Sequence, residues 1–240
     1  MSEKLQRRSR GEPALRRAQI VSEALRLLDE EGVEALSMRR LAARLDAGAP
    51  SLYWHVSSKE ELLKLAVDEV FGVVEAPDPA DPVGWRPAAL LCAHSIRATM
   101  LRHPWLGAVL FSESGLVHLG PNIMSLTERL LQLFVAAGFP IEEAQYAVQT
   151  LTGFVLGVAV SETAWLRSLR RAGQTEEQRM AALWPAAAAA AREYPGVRDV
   201  YAAEQVKDPR LSRDMTFGYG LDRVLDGLEA RLTALGPNER

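Results

Sequence analysis

The chain has 240 residues, 48% of them hydrophobic and 25% charged, with a formal net charge of −3; this composition suits a globular chain with material for one large or two modest cores and excludes disordered and fibrous classes. The longest strongly apolar stretch, "LTGFVLGVAV" at 151–160, stops at Ser161 and Glu162, well short of the roughly 18 to 20 residues that cross a bilayer, so no membrane span is expected. The basic N-terminus has no apolar segment of a secretory signal behind it, and the expected compartment is the cytoplasm.

A lone Cys92 can neither close an internal disulfide nor begin a CxxC metal pattern. His55, His94, His103 and His118 fall into no HExxH-type spacing, and no GxSxG or Walker glycine pattern occurs. The expectation is a chain with no metal site, no cofactor and no enzymatic activity. Charge is unevenly divided: residues 1–60 carry 11 Lys+Arg against 9 Asp+Glu, and the remainder is acidic, at −5. Residues 1–14 read as a flexible basic arm, suited either to phosphate contact or to a solvated terminus.

In chain order, Ala18, Val21, Leu25 and Leu28 step by three and four, which predicts an amphipathic first helix closed by Gly32. Ser37 is the expected N-cap of a short second helix with Met38, Leu41, Ala42 and Leu45 on one face and Arg39, Arg40 and Arg44 on the other. "DAG" at 46–48 breaks that helix, since Asp tolerates a left-handed backbone and Gly48 either sign of φ. Pro50 restarts the chain as a third helix, "PSLYWHV". Ser58 and Glu61 form a capping-box pattern opening a fourth helix, whose stripe is Leu62, Leu63, Ala66, Val67, Val70 and Phe71. "EAPDPADPVG" at 75–84 reads as a loop or boundary. Beyond it, helical patterns run over about 85–103, 121–138, 141–169, 175–193 and 213–235, and no stretch alternates as a strand does. The prediction is an all-α chain.

Two short helices joined by a tight turn, with a third behind, make a helix-turn-helix whose second helix enters a major groove about 12 Å wide. Leu52 and Val56, four apart, would face the first two helices and leave Pro50, Ser51, Tyr53, Trp54 and His55 outside. Tyr and Trp carry a polar handle on an apolar ring, Ser a hydroxyl, and Lys59 a cation at the start of the fourth helix, while Arg39 approaches from the second. The alternative for "YWH" is packing within the small core, and for His55 a plain surface position. Arg40 and Arg44 read as a solvated basic face.

The stretch "IVSEALRLLDEEGVEALSMRRLAARLDAGAPSLYWHVSSKEELLKLAVDEV" resembles the N-terminal domain of TetR-family transcriptional regulators. That resemblance implies double-stranded operator DNA as partner and Arg39, Pro50, Ser51, Tyr53, Trp54, His55 and Lys59 as its contacts. It also implies residues 15–60 as a helix-turn-helix head, 61–74 as a linking helix, and 85–235 as a larger helical ligand-binding and dimerisation domain. The family usually has glycine directly after the second helix's leucine, where this chain has Asp46. Weaker similarity in the second half lies in the pattern from Trp85 to His103, in "GF" at 138–139 and in "F-x-LG" at 154–157. It implies a small-molecule effector and a homodimer joined by two helices per subunit. Gly153, Gly157, Gly218 and Gly220 suit such close helix approach. Candidate pocket residues, polar or aromatic among apolar faces, are His94, His103, Trp105, Phe111, Asn122, Gln149, Phe154, Glu162 and Trp165. The Mg-tetracycline ligand of the founding member needs a histidine where this chain reads "GAVLFSES", so that effector is disfavoured. The expected function is a repressor released by a small, largely apolar molecule; the alternatives are an activator or global regulator of the same fold, or an all-helical small-molecule-binding protein without a DNA role.

Overall fold

The structure is a computed structural model that describes residues 15–79, 84–111, 120–204 and 208–236; the basic arm at 1–14 lies outside them. Eleven α-helices are present among the described residues, and no strand. The first is α1 (Arg17–Glu31), which ends at Gly32 with φ 83°. Its buried residues are Ile20, Val21, Ala24, Leu27 and Leu28. Ala18 is exposed and Leu25 half-buried, so the predicted stripe is rotated: the face turned inward is the one that packs on two helices at once. A 3-10 turn at Val33–Ala35 leads to α2 (Met38–Arg44), where Ser37 Oγ accepts from the Arg40 amide at 3.2 Å as its N-cap.

The α2 to α3 turn takes its left-handed step at Asp46, with φ 50°. Gly48 has φ −77°, an ordinary value, so Asp46 supplies the turn conformation for which glycine is the usual choice. Helix α3 (Ala49–Tyr53) is only five residues long, with Trp54 as its C-cap; His55 and Val56 lie beyond it. Helix α4 (Lys59–Phe71) begins at Ser58, whose Oγ accepts from the Glu61 amide at 3.1 Å. The predicted box is only half made. Glu61 turns instead to the Ser57 amide (2.7 Å) and hydroxyl (2.6 Å), and these hydrogen bonds hold its carboxyl below the usual range.

Next come α5 (Trp85–Arg102), α6 (Leu106–Leu110), α7 (Pro121–Ala137), α8 (Ile141–Ala172), α9 (Glu176–Ala190), α10 (Pro195–Glu204) and α11 (Pro209–Ala234). Helices α6 and α10 are absent from the sequence reading. Helix α8 packs on α5, α7 and α11, while α4 packs on α1 and on α7. One buried apolar cluster runs from Ile20 in α1 to Leu225 in α11. By length and composition α8 alone among the described helices is apolar enough to cross a membrane. One face, with Ala144, Ala147, Val148, Leu151, Val155 and Ala159, is buried against its neighbours, and Glu162 in its second half is buried in an ion pair, which fits a core helix.

Candidate DNA-reading face and ligand cavity

Leu52 and Val56 are sealed in the core of the first three helices, at 0% and 1% exposure. Because α3 is so short, that anchoring rotates the rest of its surface outward: Tyr53 is half exposed and Trp54 is 88% exposed. An indole so bare costs water contact without any packing return, which is why large exposed aromatics mark interaction surfaces. Pro50 is exposed beside them, and Ser51 and His55 are half-buried. Ser51 Oγ donates to the Gly48 carbonyl at 2.7 Å, which leaves its hydroxyl oxygen as an acceptor. Lys59 is half-buried and its Nζ donates to the Val33 carbonyl at 3.3 Å, which ties α4 to the loop before α2.

The second helix sorts its arginines. Arg44 bonds Glu23 (2.6 Å) and Glu30 (2.7 Å) of α1, and Arg40 bonds Glu31. The hydrogen bonds that Arg44 donates to Glu30 and Glu23 push its pKa above the ordinary value, and the bond from Arg44 lowers that of Glu30. These two arginines are therefore braces between α1 and α2, a correction to the solvated basic face read from sequence. Arg39 is exposed and has no ion pair among the described residues, so it is the cation of α2 left for an outside partner.

A second feature is a cavity of about 950 Å³ between the latter part of α8, the start of α9 and the start of α11. Val158, Trp165, Met180, Trp184 and Pro185 give it apolar walls; Glu162, Glu176 and Arg213 supply a polar floor. That floor is a closed network. Arg97 of α5 binds Glu162 through two hydrogen bonds of 2.9 Å and Asp214 at 2.8 Å, and Arg213 reaches Glu162 at 3.1 Å and Glu176. Trp165 Nε1 donates to Glu176 at 2.8 Å. Burial works against the Arg97 guanidinium, but its hydrogen bonds with Glu162 and Asp214 outweigh it and raise the pKa. The Arg97 head also sits 4.6 Å from the centre of the Phe217 ring, itself stacked on Phe154 and met edge-on by His94.

Of the nine candidate pocket residues, Glu162 and Trp165 line this cavity. Phe154 and His94 stand behind it on Phe217, and Phe111 and Gln149 are exposed. Trp105 and His103 instead both reach Asp29 of α1, and Asn122 binds Asp68 of α4; their polar atoms are committed to holding helices together. The residues missed are Glu176, Met180, Trp184 and Arg213. The first three are spaced by four on α9, a legible stripe hidden by the alanine run that follows it.

The apolar face of α8 and α11 that is turned to solvent includes Tyr146, Leu211, Met215 and Tyr219. A Cβ added at Gly153, Gly157 or Gly218 would meet nothing, whereas one at Gly220 would lie 2.6 Å from Phe154. Gly220 therefore serves the α8–α11 contact within the chain, and the other three face outward.

Residues 20–66 match the profile described as bacterial regulatory proteins, tetR family, and residues 78–232 match the tetracyclin repressor-like C-terminal domain. An HTH-type transcriptional regulator of Saccharopolyspora erythraea is 41% identical over 160 residues, which span 67% of this chain and 66% of the relative. The HTH-type transcriptional repressor DrrR1 of Streptomyces coeruleorubidus is 37% identical, over 93% of this chain and 81% of its own. Among solved structures, apo ActR from Streptomyces coelicolor superposes with a TM-score of 0.78 at 30% identity, covering 94% of this chain and 100% of that one. The ActR complex with actinorhodin gives 0.74 at 33% identity, over 92% of this chain and 99% of that one.

Proposed function

Because the chain belongs to the tetR family of bacterial regulatory proteins, we propose that it is a ligand-responsive transcriptional repressor: a homodimer whose two heads, residues 15–60, read a near-palindromic operator, and whose 85–235 half binds a small, largely apolar effector. Residues 61–74 join the two. The observation that carries the DNA reading is the pair Tyr53 and Trp54, held outward by buried Leu52 and Val56. Pro50, Ser51, His55, Arg39 and Lys59 surround that pair and complete the contact set. Rings meet sugar and thymine methyl, hydroxyls and amides meet phosphate, and two heads about one helical turn apart read one face of the duplex. Such work belongs in the cytoplasm.

The homodimer is supported by the bare apolar face of α8 and α11, on which Gly153, Gly157 and Gly218 leave room for a neighbouring helix. The effector is supported by the 950 Å³ cavity, within the range of small-molecule sites, with apolar walls and a few convergent polar groups. The solved relative ActR is described in complex with actinorhodin, and walls built from Trp165 and Trp184 suit a flat, largely apolar effector here. To take the operator-competent dimer from 99% to 1% of the population, the effector must favour the released arrangement by about 10⁴-fold.

Footprinting on the DNA upstream of the chain's own gene tests the reading. The expected result is a twofold-symmetric protected site, lost with Tyr53→Ala. Binding that ignores sequence, or a footprint unchanged by Tyr53→Ala, refutes it.

A further inference from the structure

The cavity between α8, α9 and α11 is uneven in charge. Among the described residues that line it, Glu162, Glu176 and Glu177 stand against one guanidinium, that of Arg213. Behind the wall Arg97 and Asp214 add one charge of each sign and cancel, while Arg179 of α9 turns to Gln174 and stays out of the lining. Arg213 is matched twice, by Glu162 at 3.1 Å and by Glu176. The carboxylates are not matched in return. Both bonds that Glu176 accepts, from Arg213 and from Trp165 Nε1, fall on Oε1, and among the described residues nothing donates to Oε2. The Glu176 side chain is only 14% exposed, and a carboxylate oxygen so far removed from water is costly to leave without a donor. Glu177 is exposed and forms no ion pair with a described residue. Along α9 the lining repeats every four residues, as Glu176, Met180 and Trp184. At about 1.5 Å per residue, the carboxylate and the indole of Trp184 lie roughly 12 Å apart along the helix.

We propose that the effector is an organic cation, a protonated amine on a flat ring body, with its ammonium held by Glu176 Oε2 and Glu177 and its rings laid along Met180 and Trp184. The inference rests on the reading of the cavity as the effector site, and it names the charge of what enters. A neutral ring system fills the apolar wall but leaves Oε2 without a donor. An anionic head finds donors to spare on Arg213 but meets an excess of two negative charges, three carboxylates against one guanidinium, between walls of low polarity that magnify the repulsion. An ammonium supplies three donors and brings the lining closer to neutrality. The indole of Trp165, bonded to the same Glu176 carboxylate, stands beside that head, where its ring attracts a cation.

Three probes of one shape and different charge test this on the full-length chain without DNA: 1-pyrenemethylamine, 1-pyrenemethanol and 1-pyreneacetate at neutral pH. Binding is read as the loss of tryptophan emission by energy transfer to the pyrene. The amine is expected to bind about tenfold tighter than the alcohol, the scale of one hydrogen bond to a charged group, and the acetate more weakly than either. Glu176→Gln keeps an oxygen for the Trp165 N–H, and Glu177→Gln breaks no ion pair among the described residues; together they bring amine and alcohol to within about twofold. Glu142→Gln makes the same change in the first turn of α8, about 30 Å along that helix from Glu162, and leaves the preference intact. Helical content is checked for each variant. If Glu176→Gln disturbs the fold, Glu177→Gln alone must still lower the preference by about threefold, as an exposed charge pair does. An alcohol as tight as the amine, or a preferred acetate, overturns the assigned charge and leaves the cavity as an effector site. A preference that survives the folded double variant, or that Glu142→Gln lowers as far, places the amine elsewhere and overturns the proposal as well. If no probe quenches, the reading of the cavity fails and the proposal with it, whereas the lack of an operator footprint is a separate failure, of the DNA reading.

Discussion

Replacing Asp68 by alanine removes the clamp between α4 and α7, and its cost follows from the geometry. The Asp68 side chain is 7% exposed; its Oδ1 accepts from the amides of Asn122 and Ile123, each at 3.1 Å, at the first turn of α7. In Asp68→Ala two amide donors lose their acceptor where water hardly enters, at about 1–3 kcal/mol each. A negative charge at the positive end of a 17-residue helix is also lost, worth about 0.3–1 kcal/mol. The expected loss is about 2–7 kcal/mol, a large share of the roughly 5–15 kcal/mol by which domains are stable. Asp68→Asn keeps one oxygen acceptor and loses the charge, so it costs about 1–2 kcal/mol. Gly120→Ala attacks the same clamp from the other side, since its Cβ would fall 2.2 Å from Asp68 Cγ and Oδ1. Urea unfolding at one fixed protein concentration, followed by circular dichroism and tryptophan fluorescence, measures all three. Gly120→Ala should be clearly destabilising alone and cost less in the Asp68→Ala background, because the group it collides with is gone. A loss under 1 kcal/mol for Asp68→Ala, or equal costs of Gly120→Ala in both backgrounds, refutes the clamp.

Other expectations separate reading from folding. Trp54→Ala should leave stability within about 0.5 kcal/mol while weakening operator binding by about 1–3 kcal/mol in an anisotropy titration; a loss of stability instead would place the indole in the core. Arg39→Ala should reduce the slope of log affinity against log salt by about one per head, or about two per dimer, and an unchanged slope removes Arg39 from the phosphate contacts. Arg97→Met strands Glu162 with only Arg213 and should cost about 3–5 kcal/mol in urea, whereas Arg97→Met with Glu162→Met should cost much less. Burial raises the Cys92 thiol from 9.0 to about 12. A folded pKa above the unfolded one means stability complete below about pH 9 and lost as pH climbs toward 12; by pH 10 the wild type should lose about 1.4 kcal/mol more than Cys92→Ala does over the same range.

The head was legible in sequence because its signals are local. Caps at Ser37 and Ser58, the spacing of Leu52 and Val56, and the turn-forming Asp46 each act within four residues; the second and fourth helices start where expected, while the third stops at Tyr53, three residues short of the expected Val56. What escaped depends on partners far along the chain. Arg40 and Arg44 look free until α1 is laid across α2 and Glu23, Glu30 and Glu31 meet them. His103 and Trp105 look like ligand contacts until the α5–α6 corner arrives beside Asp29, about seventy residues away in sequence. The cavity was missed for the same reason. Met180 and Trp184 line it because α9 folds back over α8, and the alanine run that follows them obscures their four-residue spacing.

The pairing of α1 with α2 also explains how an acidic chain can address a polyanion. The arginines engaged by Glu23, Glu30 and Glu31 fix the angle between the two helices but contribute little field outside the protein, since each positive charge is matched at hydrogen-bond range. Non-specific DNA affinity depends on unmatched cations, and among the described residues of α2 only Arg39 remains one. Beyond residue 60 the chain is acidic, at −5, and repels DNA. On the proposed reading, productive contact is confined to one face, where amides, hydroxyls and the exposed rings of Tyr53 and Trp54 must fit a groove before they gain anything. In the proposed dimer, a head built this way trades general affinity for dependence on shape and on doubled contact, so a change in head spacing too small to break any single contact set would still release the DNA.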